Sequence, residues 1–197
     1  MMVISMKIIK KNLRWTGRLT PRSKTKYIIL HHAKSKKCTI KDIENWHIDE
    51  NGWSGIGYSY FVRKDGTVYE GRPINMIGAH TKGFNDVSIG ICFEGDFEIE
   101  HMNDTQMNTA IKLINFVQET YPDTVVKCHD DFMRTACPGR YFPIDKIREK
   151  ILTQHWAEPI YDYLVDEVGM TIHDKRFDAP VTRGEIFALM KQLIDKI

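Results

Sequence analysis

Residues 27–33 read YIILHHA, an apolar run that ends on two adjacent histidines. Tyr27 to Leu30 read as a short buried strand that delivers His31 at its end. Working outward, Thr39 predicts the start of a helix over 40–49, with Asp42 in the capping-box position and Ile40, Ile43 and Trp46 along one side. YSYFVR (58–63) and TVYEG (67–71) flank a KDG turn signal and read as a strand pair. VSIGICFEG (87–95) is a further β-rich apolar run. Met107, Ala110, Ile111, Ile114, Val117 and Tyr121 then recur at helical spacing until Pro122 closes the helix. TVVKC (124–128) reads as a last strand, with His129 at its end. Strands alternating with helices predict an α/β domain built on a mixed β-sheet.

Composition excludes several classes. The 197 residues carry 28 Lys+Arg against 26 Asp+Glu, a formal net charge of +2. Such a balance lacks the concentrated positive charge that drives nucleic-acid binding, and Lys34, Lys36 and Lys37 read as a solvated basic loop. No stretch approaches the eighteen or so apolar residues of a membrane span, so no membrane insertion is expected. The opening MMVISMKIIKKNLRW lacks the apolar core and cleavage site of a signal peptide. The expectation is a protein that is cytoplasmic where it is synthesised. Cys38, Cys92, Cys128 and Cys137 are expected to be reduced thiols in a chain large enough to do without disulfides.

Two strand-end histidines and a nearby cysteine point to a metal. His31 and His129 each follow a strand, and Cys137 follows His129 by eight residues on a loop that Pro138 and Gly139 turn. Two imidazoles and a thiolate suit zinc, and three protein ligands leave a fourth position for water, as catalytic sites do. The spacing matches no short zinc-finger pattern. The alternative of surface or core histidines therefore stays open on these residues alone.

Four segments resemble, in order, the amidase family that includes amidase-type phage lysozymes and peptidoglycan recognition proteins. They are IILHHA (28–33), GWSGIGYSYFVRKDGTVYEGR (52–72), GAHTKGFNDVSIGICFEG (78–95) and CHDDFMRTACPG (128–139). The resemblance implies the recognition-protein-like fold, a mixed β-sheet flanked by helices, and N-acetylmuramoyl-L-alanine amidase activity on bacterial peptidoglycan. It implies one zinc ion on His31, His129 and Cys137, with Tyr58 beside the reacting oxygen. Thr135 stands where the phage type has a lysine, so a hydroxyl replaces a cation there. His80 and Asn85 are implied to line the substrate groove. Cys92 occupies a position where some relatives carry a glutamate, and Glu94 shares its strand face without being placed to replace it. His32, adjacent to His31 on a strand, is expected to face the other way.

A second resemblance covers the C-terminal part. HWAEPIYDYLVDEVG (155–169), FDAP (177–180) and VTRGEIFALM (181–190) are similar to a single S-layer homology motif. It implies that Arg183 contacts an anionic secondary wall polymer. Trp156, Ile160, Tyr163 and Leu164 form one apolar stripe, and Thr182 with Glu185 caps a helix carrying Ile186, Leu189, Met190 and Leu193. Such motifs ordinarily work three together, so one motif implies a homo-oligomer or a tail packed on its own enzyme. The domain expectation is a catalytic domain over 1–153 and a small helical appendage over 154–197. An endolysin-like enzyme, acting on the wall after release, is the main expectation. A non-catalytic recognition module and an amidase of soluble muropeptides are the alternatives; the retained Cys137 stands against the first and the wall-anchor-like tail against the second.

Overall fold

The computed structural model describes residues 7–153, 161, 163–172 and 182–195. Residues Met6–Ile151 form one compact unit, and Leu152–Ile197 belong to a second. The larger unit is a six-stranded mixed sheet with helices on both faces. Its strands are β1 (Ile8–Lys10), β2 (Tyr27–His32), β3 (Tyr60–Val62), β4 (Val68–Glu70), β5 (Ser88–Phe93) and β6 (Val125–Cys128). Their order across the sheet is β1-β4-β3-β5-β2-β6. Only β3 and β4, joined by the expected hairpin, run antiparallel. Strand β2 lies between β5 and β6 and runs parallel to both.

The alternation of side chains along these strands builds two cores. On one face, Ile28, Leu30, Tyr60, Val62, Ile91 and Phe93 pack with Ala110, Leu113, Ile114 and Val117 of helix α2 (Asp104–Thr120). Ile147 of α3 (Ile144–Thr153) closes that layer. On the other face, Phe61 and Cys92 meet Ile40 and Ile43 of α1 (Ile40–Asn45). Thr39 caps α1 with the expected capping box, and Asn103 caps α2 by accepting from Gln106 N–H at 2.8 Å.

The helix expected over 40–49 divides: α1 ends at Asn45, and a π-helical turn covers Trp46–Glu50. Strand β1 and helix α3 are elements that the sequence reading does not anticipate. Strand β1 is a three-residue edge strand in a lysine-rich stretch, too short and too charged to show period-2 patterning.

In the second unit the described residues form a π-helical turn, Tyr163–Glu167, and helix α4 (Arg183–Ile194). Thr182 and Glu185 make the expected capping box on α4. Thr171 and Gln192 exchange two hydrogen bonds of 2.8 and 3.2 Å, tying α4 to the segment before it. Trp156, Ile160 and the FDAP segment lie outside the described residues. Ile186, Phe187, Met190 and Leu193 are exposed, and Phe187 keeps 66% of its surface in solvent. Among the described residues, no helix is long and apolar enough to cross a membrane.

Candidate metal centre

The register of two parallel strands assembles the first two candidate ligands. Leu30 of β2 pairs with Cys128 of β6, so the next residues along, His31 and His129, stand side by side. In-register residues of neighbouring parallel strands point to the same face about 4.8 Å apart. The two imidazole centroids lie 4.6 Å apart. The third candidate comes from loop closure, with Asp130 N–H donating to the Cys137 carbonyl at 3.1 Å. Thr135 Oγ1 accepts from Cys137 N–H at 3.2 Å and fixes the cysteine's approach.

One ligand atom from each of His31, His129 and Cys137 can be chosen so that all lie within 4.8 Å of one another. His31 Nδ1 is 3.7 Å from Cys137 Sγ. Tetrahedral zinc, with bonds of about 2.05 Å to nitrogen and about 2.3 Å to sulfur, sets such a pair about 3.5 Å apart. The trio therefore fits a zinc ion.

Without a metal the group is electrically quiet. Burial, then the neighbouring imidazoles of His80 and His129, holds His31 well below the ordinary histidine range. Burial also lowers His129. It pushes the Cys137 thiol up to about 12, against a smaller opposing pull from the His32 backbone N–H. At neutral pH the site thus holds two neutral imidazoles and a thiol.

Around the trio, Tyr58 packs its ring 5.0 Å from that of His31. Burial, then the neighbouring cysteines, raises its phenol well above the ordinary value, so the hydroxyl stays protonated and donates. On an unbroken strand over 58–63, alternation would put Tyr58 and Tyr60 on one face. They do not share one: Tyr60 joins the α2-side core and Tyr58 the α1-side cluster. Regular strand begins only at Tyr60, and Tyr58 and Ser59 before it escape the alternation.

His80 is only 8% exposed, and its ring meets that of His31 edge-on with centroids 5.0 Å apart. Gly78 and Gly90 leave the space: a Cβ on either would stand 2.5–2.7 Å from the His80 ring. His80 Nδ1 is 3.0 Å from His31 Nε2, and burial lowers its pKa to about 3. Asn85 Oδ1 accepts the backbone N–H groups of His80 and Thr81, both at 2.8 Å. Its side-chain oxygen braces the His80 loop, the Asx-type role that Asn residues take in turns.

His32 points to the opposite face, where its Nδ1 accepts Phe97 N–H at 3.2 Å. Cys92 is fully buried and in register with His31. Glu94 is spent elsewhere: Arg63, Lys64 N–H and Cys38 N–H all donate to its carboxylate. Arg134 is exposed. Arg183 is the exposed first residue of α4, in the second unit.

The sequence reading missed His47. It is buried, its Nδ1 accepts Gly57 N–H at 2.9 Å, and its ring packs against Tyr58 and Trp53. Its signal was available, since His47 falls one turn beyond Ile43 on the buried side of the helix expected over 40–49.

A family model described as N-acetylmuramoyl-L-alanine amidase matches residues 21–140. The endolysin of Enterobacteria phage K11 is 31% identical over 128 residues, covering 61% of this chain and 84% of the relative. Peptidoglycan-recognition protein SC2 of Drosophila melanogaster is 32% identical over 154 residues, covering 70% of this chain and 83% of the relative. Among solved structures, the N-acetylmuramoyl-L-alanine amidase LysC from Clostridium intestinale URNW superposes with a TM-score of 0.73 at 37% identity, covering 76% of this chain and 100% of that one.

Proposed function

The chain belongs to the N-acetylmuramoyl-L-alanine amidase family, a class of peptidoglycan hydrolases, and we propose that one zinc ion on His31, His129 and Cys137 serves its reaction. The bond cut is the amide between the lactyl group of N-acetylmuramic acid and L-alanine of the stem peptide. The observation that carries the zinc reading is the 3.7 Å approach of His31 Nδ1 to Cys137 Sγ, with His129 completing a trio of ligand size.

When bound, zinc supplies Lewis-acid chemistry, acidifying water and polarising the scissile carbonyl. The chain's own groups supply the rest. Tyr58, kept protonated by its surroundings, donates a hydrogen bond to the oxygen that becomes negative in the transition state. Thr135 contributes no charge, and its hydroxyl oxygen is engaged with Cys137 N–H. We assign Thr135 to holding the Cys137 loop through that acceptor contact, with its hydroxyl hydrogen left to donate to the oxyanion. Cys92 is a buried thiol pushed well above its ordinary pKa, and it offers no base at the position in register with His31.

We read the protein as endolysin-like, made in the cytoplasm and acting on the wall after release. For the C-terminal unit, the proposal is contact of Arg183 with an anionic wall polymer or self-association. A wall-pelleting assay and sedimentation of the full chain, with and without Arg183→Ala, test the two forms. Loss of pelleting with unchanged mass supports the first, and a concentration-dependent mass supports the second. Pelleting unaffected by Arg183→Ala together with a monomer mass at every concentration removes both. The activity test is digestion of purified walls. New N-terminal alanine without new reducing ends, abolished by a chelator and restored by zinc, is the expected result; new reducing ends overturn it.

A further inference from the structure

The proton positions around His31 can be deduced from an end point that permits only one direction. Ser88 Oγ lies 2.6 Å from the Phe84 carbonyl oxygen. A carbonyl only accepts, and a hydroxyl has a single hydrogen, so Ser88 spends its hydrogen on Phe84. The 3.4 Å contact between Ser88 Oγ and His80 Nε2 then requires the hydrogen to sit on His80 Nε2. The His80 ring is buried and meets His31, Thr81 and Ser88, none of them a carboxylate that would hold a second ring hydrogen, so its Nδ1 is a bare lone pair. That lone pair faces His31 Nε2 at 3.0 Å, and His31 Nε2 must therefore be the donor. His31 is likewise buried with no carboxylate against its ring, so it has one hydrogen to place. Its Nδ1 is left bare, and this is the atom 3.7 Å from Cys137 Sγ.

Thr81 agrees with this polarity. Its Oγ1 is 3.1 Å from His80 Nδ1 and 3.5 Å from His31 Nε2, placed to donate to the first and accept from the second.

We propose that His80 is a positioning residue for the metal site: the chain Ser88–His80–His31 fixes the His31 tautomer and turns the Nδ1 lone pair toward His129 and Cys137. This rests on the zinc reading for its purpose, although the tautomer itself does not. The location of His80 explains why a buried histidine pairs with a buried histidine here. A neutral imidazole accepts the His31 hydrogen without placing a charge at that depth. Outer partners of this kind orient metal-binding histidines and raise affinity.

The experiment has two parts. Long-range 1H–15N correlations on the metal-free full chain at neutral pH report histidine tautomers directly. His31 and His80 are both expected to carry the hydrogen on Nε2; a hydrogen on His31 Nδ1 overturns the proposal whether or not zinc binds. Zinc affinity is then measured by chelator competition for the wild type, His80→Ala and His80→Asn. His80→Ala should bind zinc about 10- to 100-fold more weakly. His80→Asn sets an amide oxygen near the place of Nδ1 and should recover much of that loss. Equal weakening in both variants would show that the ring merely fills space, and wild-type affinity in His80→Ala would show that it does not position the ligand. Failure of the wild type to bind zinc would sink the metal reading instead, leaving the tautomers to decide the hydrogen-bond chain.

Discussion

Zinc binding should release at least one proton per ion near pH 7, and the first should come from Cys137. The sign follows from the metal-free ionisation states. Cys137 sits at about 12, so at every ordinary pH the thiol must lose its proton before it can serve as a ligand. His31 and His129 are both depressed, so above the ordinary histidine value they are already neutral and release nothing. The observed association constant should therefore rise by at least about tenfold per pH unit between roughly pH 6.5 and 7.5, about 1.4 kcal/mol per unit. Toward acid the slope should steepen as the imidazoles must also be discharged. Toward alkali, a coordinated water that loses its own proton adds to the slope. Chelator competition across this window gives the slope. Calorimetry in two buffers of different ionisation enthalpy gives the proton count independently. A slope near zero would mean that Cys137 is already a thiolate, and a slope near three would mean that both imidazoles are cationic. Either result refutes the account of a neutral, desolvated site.

Cys137→Ser removes the soft ligand and should weaken zinc by more than ~100-fold, beyond what loss of an outer partner costs, with activity falling alongside; near-normal zinc content and rate would strike Cys137 from the ligand set. Tyr58→Phe should keep zinc and fold yet lower kcat by ~10²–10³, the usual cost of one oxyanion donor, and a kcat within a few-fold of wild type would remove Tyr58 from that role. Ile114 is fully buried between α2 and the sheet, so Ile114→Ala should cost ~2–5 kcal/mol in denaturant unfolding, with a loss below about 1 kcal/mol contradicting its place in the core.

The strand ends were the legible part of the site. YIIL and TVVKC announce buried strands, and a histidine directly after each becomes informative once the strands are parallel neighbours. Neighbourhood itself is not written locally. The place of β2 between β5 and β6 depends on crossovers through α2 and on β5, and the four ordered motifs supplied it. His31 and His32 separated correctly because alternation within a regular strand is a local rule. The same rule failed for Tyr58 and Tyr60, because the regular strand starts at Tyr60. The burial of His80 was illegible for a different reason. Nothing in GAHT says whether a loop histidine faces solvent or the sheet; that is decided by Gly78 on its own loop and Gly90 on a distant strand, which together leave room for a ring. Only the three-dimensional neighbourhood of Gly90 turns a plain strand glycine into the floor under His80.

These placements bear on how far the metal itself builds the site. In small zinc domains the ligands come together only when the ion binds, and binding energy is folding energy. Here the ligand positions have independent causes. His31 and His129 are fixed by the β2–β6 register. Cys137 is fixed by the Asp130–Cys137 backbone hydrogen bond and by Thr135. The His31 ring is further held by His80. Each of these contacts joins neutral groups, and the buried thiol and imidazoles stay uncharged until a cation arrives. The metal-free protein therefore avoids stranding a bare charge in the interior, a cost of several kcal/mol. What it keeps is a set of lone pairs already aimed at one point. The cost left for binding is a single thiol proton, and this is why the proton count, more than thermal stability, is the sensitive measure of the site.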